Sequence, residues 1–283
     1  MKSIDTLVSD IQELFDKGAV LTEEALNTFT TGVGGNLRER FEEYSKERKR
    51  TLRLSNVGQP LRKLWFEISS GLEPEPLPPE AKLKFLYGDL LEDTLILLAI
   101  EAGHTVTDLQ KEVEVDGVRG HIDCCIDGVL VDVKSASTYS FRKFAEGTLQ
   151  DDDPFGYIAQ LAGYSCALGN LDGAFLAIDK TLGKLALLRI SKEELQEYNV
   201  RERITKARYT LAQPEPPGEY CYDPIPEGKS GNLKLPVGCS YCAYKFHCYP
   251  NLRGFAYSTG PVYLVNVAQE PRVKEIKSNG GCN

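Results

Sequence analysis

Apolar residues recur at helical spacing over residues 3–17 and, on a strongly charged background, over 22–48. A basic turn leads through Ser55-Asn56-Val57-Gly58-Gln59-Pro60 into a short helical stretch, LRKLWFEIS, that carries the only Trp. Four prolines between Gly71 and Pro79 mark a loop. From Glu80 to Ala102 the apolar positions again fall at helical spacing, and Gly103 supplies a stop.

The period then shortens. Residues 109–115 (LQKEVEV) and 118–126 (VRGHIDCCI) alternate on either side of Asp116-Gly117, which predicts a hairpin. Asp127-Gly128 turns the chain into VLVDVKS, an apolar strand interrupted by Asp132 and Lys134. A helix over 154–168 follows, then strands over 174–179 and 184–190 around Thr181-Leu182-Gly183, then a helix over 192–211. Residues 212–238 are rich in Pro and Gly and lead into a cysteine cluster. The pattern predicts an α/β fold: a mixed central sheet flanked by helices over 54–211, an N-terminal helical arm over 1–53, and a cysteine-rich C-terminal metal lobe over 212–283.

Composition narrows the classes. In 283 residues, 42% are hydrophobic and 26% charged, as in an ordinary folded domain. No apolar run approaches the roughly 20 residues of a membrane span. The start, MKSIDTLVSDIQELF, is too polar for a secretory signal, so the expected location is the cytoplasm, or the host cytoplasm if the chain is phage-encoded. A net charge of −8 argues against a nucleic-acid partner. Two features blunt that objection. A bound divalent cation reverses the field of an acidic site, and Lys46, Arg48, Lys49, Arg50 and Arg53 form a local basic run. By itself that run is an ordinary solvated helix face.

The charges inside VLVDVKS carry the chemistry. Asp132 and Lys134 stand two residues apart, hence on one face of the strand and about 7 Å apart at Cα. Alone, the pair reads as a surface ion pair. Asp123, flanked by apolar neighbours in GHIDCCI, falls across the Asp127-Gly128 turn from Asp132. Two carboxylates that close repel unless a divalent cation neutralises them, and hard oxygen ligands suit Mg²⁺ or Mn²⁺. Glu92, four residues after Gly88 in an apolar helix, offers a third acid. Gln160 and Tyr164 share a helix face and are placed to contact a phosphate or orient a carboxylate.

The ordered set Gly88-x₃-Glu92, Gly120-x₂-Asp123, Asp132-Val133-Lys134 and Gln160-x₃-Tyr164 resembles the PD-(D/E)XK nuclease superfamily, and within it the RecB-like branch. That branch includes CRISPR-associated adaptation nucleases and phage exonucleases. The resemblance implies a restriction-endonuclease-like core and a metal-dependent DNA exonuclease of phage recombination, replication or host-DNA degradation. It makes Asp123, Asp132 and Glu92 the Mg²⁺ ligands, with the Val133 carbonyl as a further candidate. Glu92 stands where many relatives carry a His. Lys134 would position the attacking water, while Gln160 and Tyr164 would hold the substrate; Arg62, a basic residue flanking the motifs, is read separately as a further substrate contact. DNA is the implied partner, with a recombination or replication protein as a further candidate. An endonuclease, a single-strand-trimming nuclease, or an inactive DNA-binding adaptor with a zinc lobe are the other readings.

Of eight cysteines, Cys124, Cys125 and Cys166 sit in apolar surroundings and read as buried thiols, and Cys282 lies in a Gly-rich tail. Cys221, Cys239, Cys242 and Cys248 fall within 28 residues, which points to metal rather than disulfides. Thiolates so spaced bind Zn²⁺ or an iron–sulfur cluster. The late three resemble the iron–sulfur staple of the RecB-like branch. That pattern has an early cysteine near Gln59-Pro60, and this chain has none before Cys124. Cys221 is the natural replacement and His247 a second candidate, with a [4Fe–4S] cluster expected and Zn²⁺ as the alternative. Lys234, Lys245, Arg253, Arg62, Lys63, Arg142 and Lys143, with Tyr241, Tyr244 and Phe246, are expected to line a DNA path.

Overall fold

Two long polar-faced helices, a buried strand pair and a late run of short strands sort into separate cores. The structure, a computed structural model, describes residues 2–45 and 50–276, so Lys46, Arg48, Lys49 and Cys282 lie outside the described residues. The chain divides into two units, Met1–Gly58 with Pro78–Lys206 and Gln59–Leu77 with Ala207–Asn283. No helix among the described residues is long and apolar enough to cross a membrane.

In chain order the helices begin with α1 (Leu7–Lys17), α2 (Glu23–Ser45), α3 (Leu61–Ile68, in the second unit) and α4 (Pro79–Glu101). The strands β1 (Val106–Thr107), β2 (Glu112–Val115), β3 (Val118–His121), β4 (Cys124–Ile126) and β5 (Val129–Ala136) follow. Then come α5 (Thr138–Ala145), α6 (Tyr157–Ala167), β6 (Gly173–Asp179), β7 (Leu185–Ile190), α7 (Lys192–Gln196) and α8 (Val200–Leu211).

The first unit is built on a mixed sheet in the order β1-β4-β5-β6-β7. β5 and β6 are parallel and run in register from Leu130↔Gly173 to Ala136↔Asp179, while the other pairs are antiparallel. A parallel pair needs a long crossover, which α5 and α6 provide. One sheet face presents Val131, Val133, Ala174 and Leu176 to Leu7 and Ile11 of α1 and Leu95, Ile96 and Ala99 of α4. The other presents Leu130, Ala136, Phe175 and Ala177 to Phe141 and Phe144 of α5 and Ile158, Leu161 and Ala162 of α6. Covered on both faces, β6 reads as a near-continuous apolar run.

The two Asp-Gly turns behave as expected. Asp116 and Gly117 adopt φ of 48° and 76°, and Asp127 and Gly128 adopt 51° and 83°, the positive pair that a two-residue hairpin turn requires. Residues 118–126, however, are not one strand. β3 pairs with β2 in a separate hairpin, whereas β4 pairs with β5 and β1. The chain leaves one sheet for the other at Ile122-Asp123. The helix expected over 192–211 also breaks, at Asn199 with φ of 38°, into α7 and α8. α7 starts from a full Ser191–Glu194 capping box.

The helical arm does not stand apart as a 1–53 domain. α2 lies on α4 through polar pairs: Arg40 donates to Asp89 at 2.9 and 2.6 Å, Asn36 to Asp93 at 2.9 Å, and Thr22 N–H to Glu101 at 2.7 Å. The partners of these polar residues lie 49 to 79 residues along the chain, beyond the reach of any local pattern.

The expected boundaries at 54 and 212 shift for a similar reason. Residues 59–77 belong with the late chain. Trp65 Nε1–H donates to the Gln213 carbonyl at 2.9 Å, the Phe66 ring stacks on Tyr244 at 5.9 Å, and Glu75 N–H donates to Ala243 O at 2.9 Å. Around them stand β8 (Ile225–Pro226), β9 (Leu233–Lys234), α9 (Val237–Ser240), α10 (Lys245–Cys248), β10 (Arg253–Tyr257), β11 (Gly260–Asn266) and β12 (Glu275–Ile276). The strands form an antiparallel sheet in the order β12-β10-β11-β9-β8.

Candidate active site

β5 outruns β4, and that inequality builds the site. The last registered pair is Cys124↔Val131, so Asp123 stands one step beyond it, across from Asp132. There the carboxylate replaces the missing strand: Val133 N–H donates to Asp123 Oδ2 at 2.7 Å. On the far side β5 remains locked to β6 through Asp132↔Phe175 and Lys134↔Ala177. Asp132 and Lys134, two residues apart, point to the α6 side and form an ion pair with each other.

Asp132 is 1% exposed, while Glu92 and Asp123 are half-buried. From α6, Gln160 Nε2 donates to Asp132 Oδ1 at 3.1 Å and lies 3.3 Å from the Tyr164 hydroxyl. Glu92 Oε1, on α4, accepts from Gln110 Nε2 at 2.7 Å. The structure thus brings Glu92, Asp123, Asp132 and Lys134 into one electrostatic site. Burial, then repulsion from Asp123 and Asp132, pushes the Glu92 carboxyl up to about 9. Burial and Asp132 push Asp123 up to about 7. Burial raises Asp132 against the opposing pull of Lys134. The Lys134 ammonium is held well above its ordinary value: burial opposes this, and Asp132 and Asp123 outweigh it.

Two motif glycines have different roles. A Cβ at Gly88 would meet Ser135 Oγ at 3.5 Å, an ordinary contact, so the packing of α4 there does not require a glycine. A Cβ at Gly120 would stand 2.7 Å from Tyr164 Cε1 and 3.0 Å from Leu54 Cβ, so glycine there seats the Tyr164 ring.

Tyr164 is 2% exposed. Its expected role on the substrate strand is therefore corrected: it is a buried support for Gln160, whose amide orients Asp132. Arg62 is corrected as well. Its Nε–H donates to Cys248 Sγ at 3.2 Å, its Nη1 bonds the Pro217 carbonyl, and its guanidinium lies 5.4 and 5.1 Å from the Phe66 and Tyr220 rings. The proposed DNA path also loses members to folding contacts. Tyr244 is buried against Phe66, Phe246 meets Tyr263 edge-on, Lys245 is ion-paired to Glu75, and Arg253 bonds Glu270 and Glu275. Lys143 is paired with Asp152.

Three site residues carried no motif. Gln110 holds Glu92, and its own backbone needs a φ of 50°. The Tyr157 ring lies 4.9 Å from Lys134 Nζ, a cation–π contact. Asp153 raises the Asp132 carboxyl by its charge and accepts from Ile158 N–H at 2.9 Å at the start of α6. Spacing could have found Tyr157, since 157, 160 and 164 share one helix face.

In the second unit, Cys221, Cys239, Cys242 and Cys248 line a single cavity with Lys63, Phe66, Tyr249 and Tyr222. His247, the other candidate ligand, is not among its lining residues. Burial pushes the Cys239 thiol up to about 12, with the sulfurs of Cys221, Cys242 and Cys248 adding to it, and the Cys242 thiol up to about 11, with Glu67 and Cys248 adding to it against Lys63. Cys124 and Cys125 are buried and Cys166 half-buried, all as free thiols.

Neither set closes on an ion as it stands. Among the described residues no group of three or more His, Cys, Asp or Glu side chains is in ligating geometry. Lys134 pairs with Asp132, Val133 N–H bonds an Asp123 oxygen, and Gln110 bonds a Glu92 oxygen. In donor chemistry each set still fits a metal, with hard oxygens in the first unit and four sulfurs in the second.

No family model matches the chain. No curated protein matches it either. Several solved structures overlap it in part. An alkaline exonuclease from Laribacter hongkongensis is 17% identical with a TM-score of 0.41, over 56% of this chain and 84% of its own. The protein SSO0001 is 17% identical with a TM-score of 0.44, over 75% of this chain and 93% of its own. A phage-related exonuclease from Haemophilus somnus 129PT is 14% identical with a TM-score of 0.39, over 57% of this chain and 93% of its own. All three overlaps are partial, and the chemistry of this chain is read from its own side chains.

Proposed function

We propose that the chain is a Mg²⁺-dependent DNA exonuclease whose catalytic residues are Glu92, Asp123, Asp132 and Lys134. One observation carries this: three carboxyls and one ammonium meet at the end of β4, where burial raises all three carboxyls and repulsion adds to it at Glu92, from Asp123 and Asp132, and at Asp123, from Asp132. Such a set is costly unless a divalent ion offsets it. Asp123, Asp132 and Glu92 would hold the ion. When bound, it supplies an electrophile for the phosphate and lowers the pKa of a bound water.

The remaining work falls to the protein. Gln160 fixes one Asp132 oxygen through its amide, so the carboxylate faces the site in one orientation. Lys134, steered by Asp132 and the Tyr157 ring, orients the attacking water and offsets negative charge growing on the phosphate. Gln110 holds Glu92 toward the same point.

End-labelled linear DNA tests the proposal. Mg²⁺-dependent release of short products is expected from the wild type, and Lys134→Ala should abolish it. A Lys134→Ala protein as fast as wild type would remove the nuclease assignment. Cutting of a closed circular plasmid would make the enzyme an endonuclease.

The shared cavity of Cys221, Cys239, Cys242 and Cys248 supports a second centre, a four-thiolate site for a [4Fe–4S] cluster or Zn²⁺ with a structural role. Absorbance near 400 nm, with iron, sulfide and zinc analysis of the purified chain, distinguishes the two.

A further inference from the structure

The early segment 59–77 contains no cysteine, yet it reaches the cysteine cavity twice. Arg62 Nε–H donates to Cys248 Sγ at 3.2 Å, within range for a bond to sulfur. One residue on, Lys63 lines the cavity beside Cys221, and its backbone N–H favours the charged form of that sulfur. Arg62 is fixed from four sides: the Cys248 sulfur, the Pro217 carbonyl, and the Phe66 and Tyr220 rings. Such a setting is not that of a residue waiting for a phosphate. Arg62 and Phe66 share the helical segment α3, and Phe66 stacks on Tyr244, four residues before Cys248.

The charge balance points the same way. Four thiolates around a dication or a doubly positive cluster leave roughly two negative charges over. Arg62 is in contact with one sulfur, and Lys63 acts favourably on the thiolates of Cys239 and Cys242. Hydrogen bonds to ligand sulfurs orient them and hold the charged form.

We propose that Arg62 is a positioning residue of the four-thiolate centre, a hydrogen-bonded clasp that fastens the 59–77 segment to Cys248 without supplying a ligand. The proposal rests on the assignment of a thiolate centre to the four cysteines. Arg62 contributes two things that a fifth ligand would not: positive charge beside the sulfurs, and a mechanical link between chain segments 186 residues apart.

The test uses the full chain as purified anaerobically, with iron, zinc and sulfide measured per chain. Arg62→Gln keeps all four cysteines and should carry the wild-type metal load. It should shed that metal to EDTA about tenfold faster than wild type, the lower end of what loss of a ligand's hydrogen-bond partner costs. Limited proteolysis should then cut between residues 59 and 77, where the metal-loaded wild type resists. Arg62→Lys, which keeps the charge but not the directed N–H, should fall between the two. In a Cys248→Ser background the Arg62→Gln effect on release should largely vanish. Equal release rates and equal protease resistance in wild type and Arg62→Gln would overturn the clasp while leaving the centre in place. If Arg62→Gln cannot be purified folded, Arg62→Lys decides: release at the wild-type rate overturns the clasp. A wild-type chain with neither iron, zinc nor sulfide would remove the thiolate centre itself, and the clasp with it.

Discussion

The two candidate centres of this molecule are built on opposite principles. The acidic site in the first unit is held by strand register. Asp132 and Lys134 sit in the middle of a seven-pair parallel ladder, and Asp123 is locked to the β5 backbone at Val133. Its geometry is set by backbone pairing, and burial there raises the Glu92, Asp123 and Asp132 carboxyls. The cysteine cavity in the second unit is held by α9, α10 and loop, elements of four residues or fewer. Its thiols line one space without closing on it. A register-built site can be preorganised and strained, whereas a loop-built one waits for its ligand to organise it.

Lys134→Ala should break the first half of that contrast most severely. With the ammonium gone, Asp132 loses its ion-pair partner in a nearly sealed position. Hydrolysis of end-labelled DNA is expected to fall by about a thousandfold or more, the scale of losing a preorganised electrostatic group. Circular dichroism should show that the fold survives, since the ladder on either side is intact. A small loss of rate would mean that the charge pair is structural.

The second expectation concerns pH in the absence of metal. Glu92 and Asp123 carry folded values raised to about 9 and about 7, above the ordinary carboxylate range. The folded state therefore keeps protons that the unfolded chain gives up. Their contribution to stability is fully present below about pH 4 and is lost as pH rises through about 7 and then about 9. The urea midpoint of EDTA-treated protein should accordingly decline from about pH 5 to about pH 9 on this account. Added Mg²⁺ should raise it more at the alkaline end. A midpoint indifferent to Mg²⁺ at both ends would argue that no ion enters the acidic site.

A smaller effect tests the packing behind the site. Gly120→Ala drives a methyl to within 2.7 Å of Tyr164 Cε1 and 3.0 Å of Leu54 Cβ. Overpacking of this kind costs about 1–3 kcal/mol. The displaced Tyr164 should loosen Gln160, so turnover should fall along with the denaturation midpoint. Loss of stability with full turnover would separate the Gln160 amide from the orientation of Asp132.

These expectations also mark what the sequence could carry. Asp-x-Lys in an apolar strand and an Asp-Gly turn before it were enough to align Asp123 with Asp132, because strand period and hairpin geometry are local rules. The break at Ile122-Asp123 was not legible, since alternation continues across it while the pairing partner changes. Gln110 and Asp153 enter the site from loops that no periodicity describes. Arg62 was misassigned because a basic residue looks the same in sequence whether it faces a phosphate or a sulfur. The pairing of Asn36 and Arg40 on α2 with Asp93 and Asp89 on α4 was not legible either, the partners being far along the chain.

The smallest effect sharpens the second half of the contrast. Trp65 Nε1–H bonds the Gln213 carbonyl, tying the 59–77 segment to the late chain without any metal. Trp65→Phe keeps an aromatic ring beside Phe66 and removes that one bond, a loss of about 1 kcal/mol. If ligand binding organises the second unit, the loss should be visible in thermal melts of metal-stripped protein. It should be largely masked when the four cysteines are loaded, because the ligand then supplies the dominant tie. An equal loss in both states would mean that the aromatic contacts of Trp65, Phe66 and Tyr244 hold this unit by themselves, with the thiols as passengers in its core.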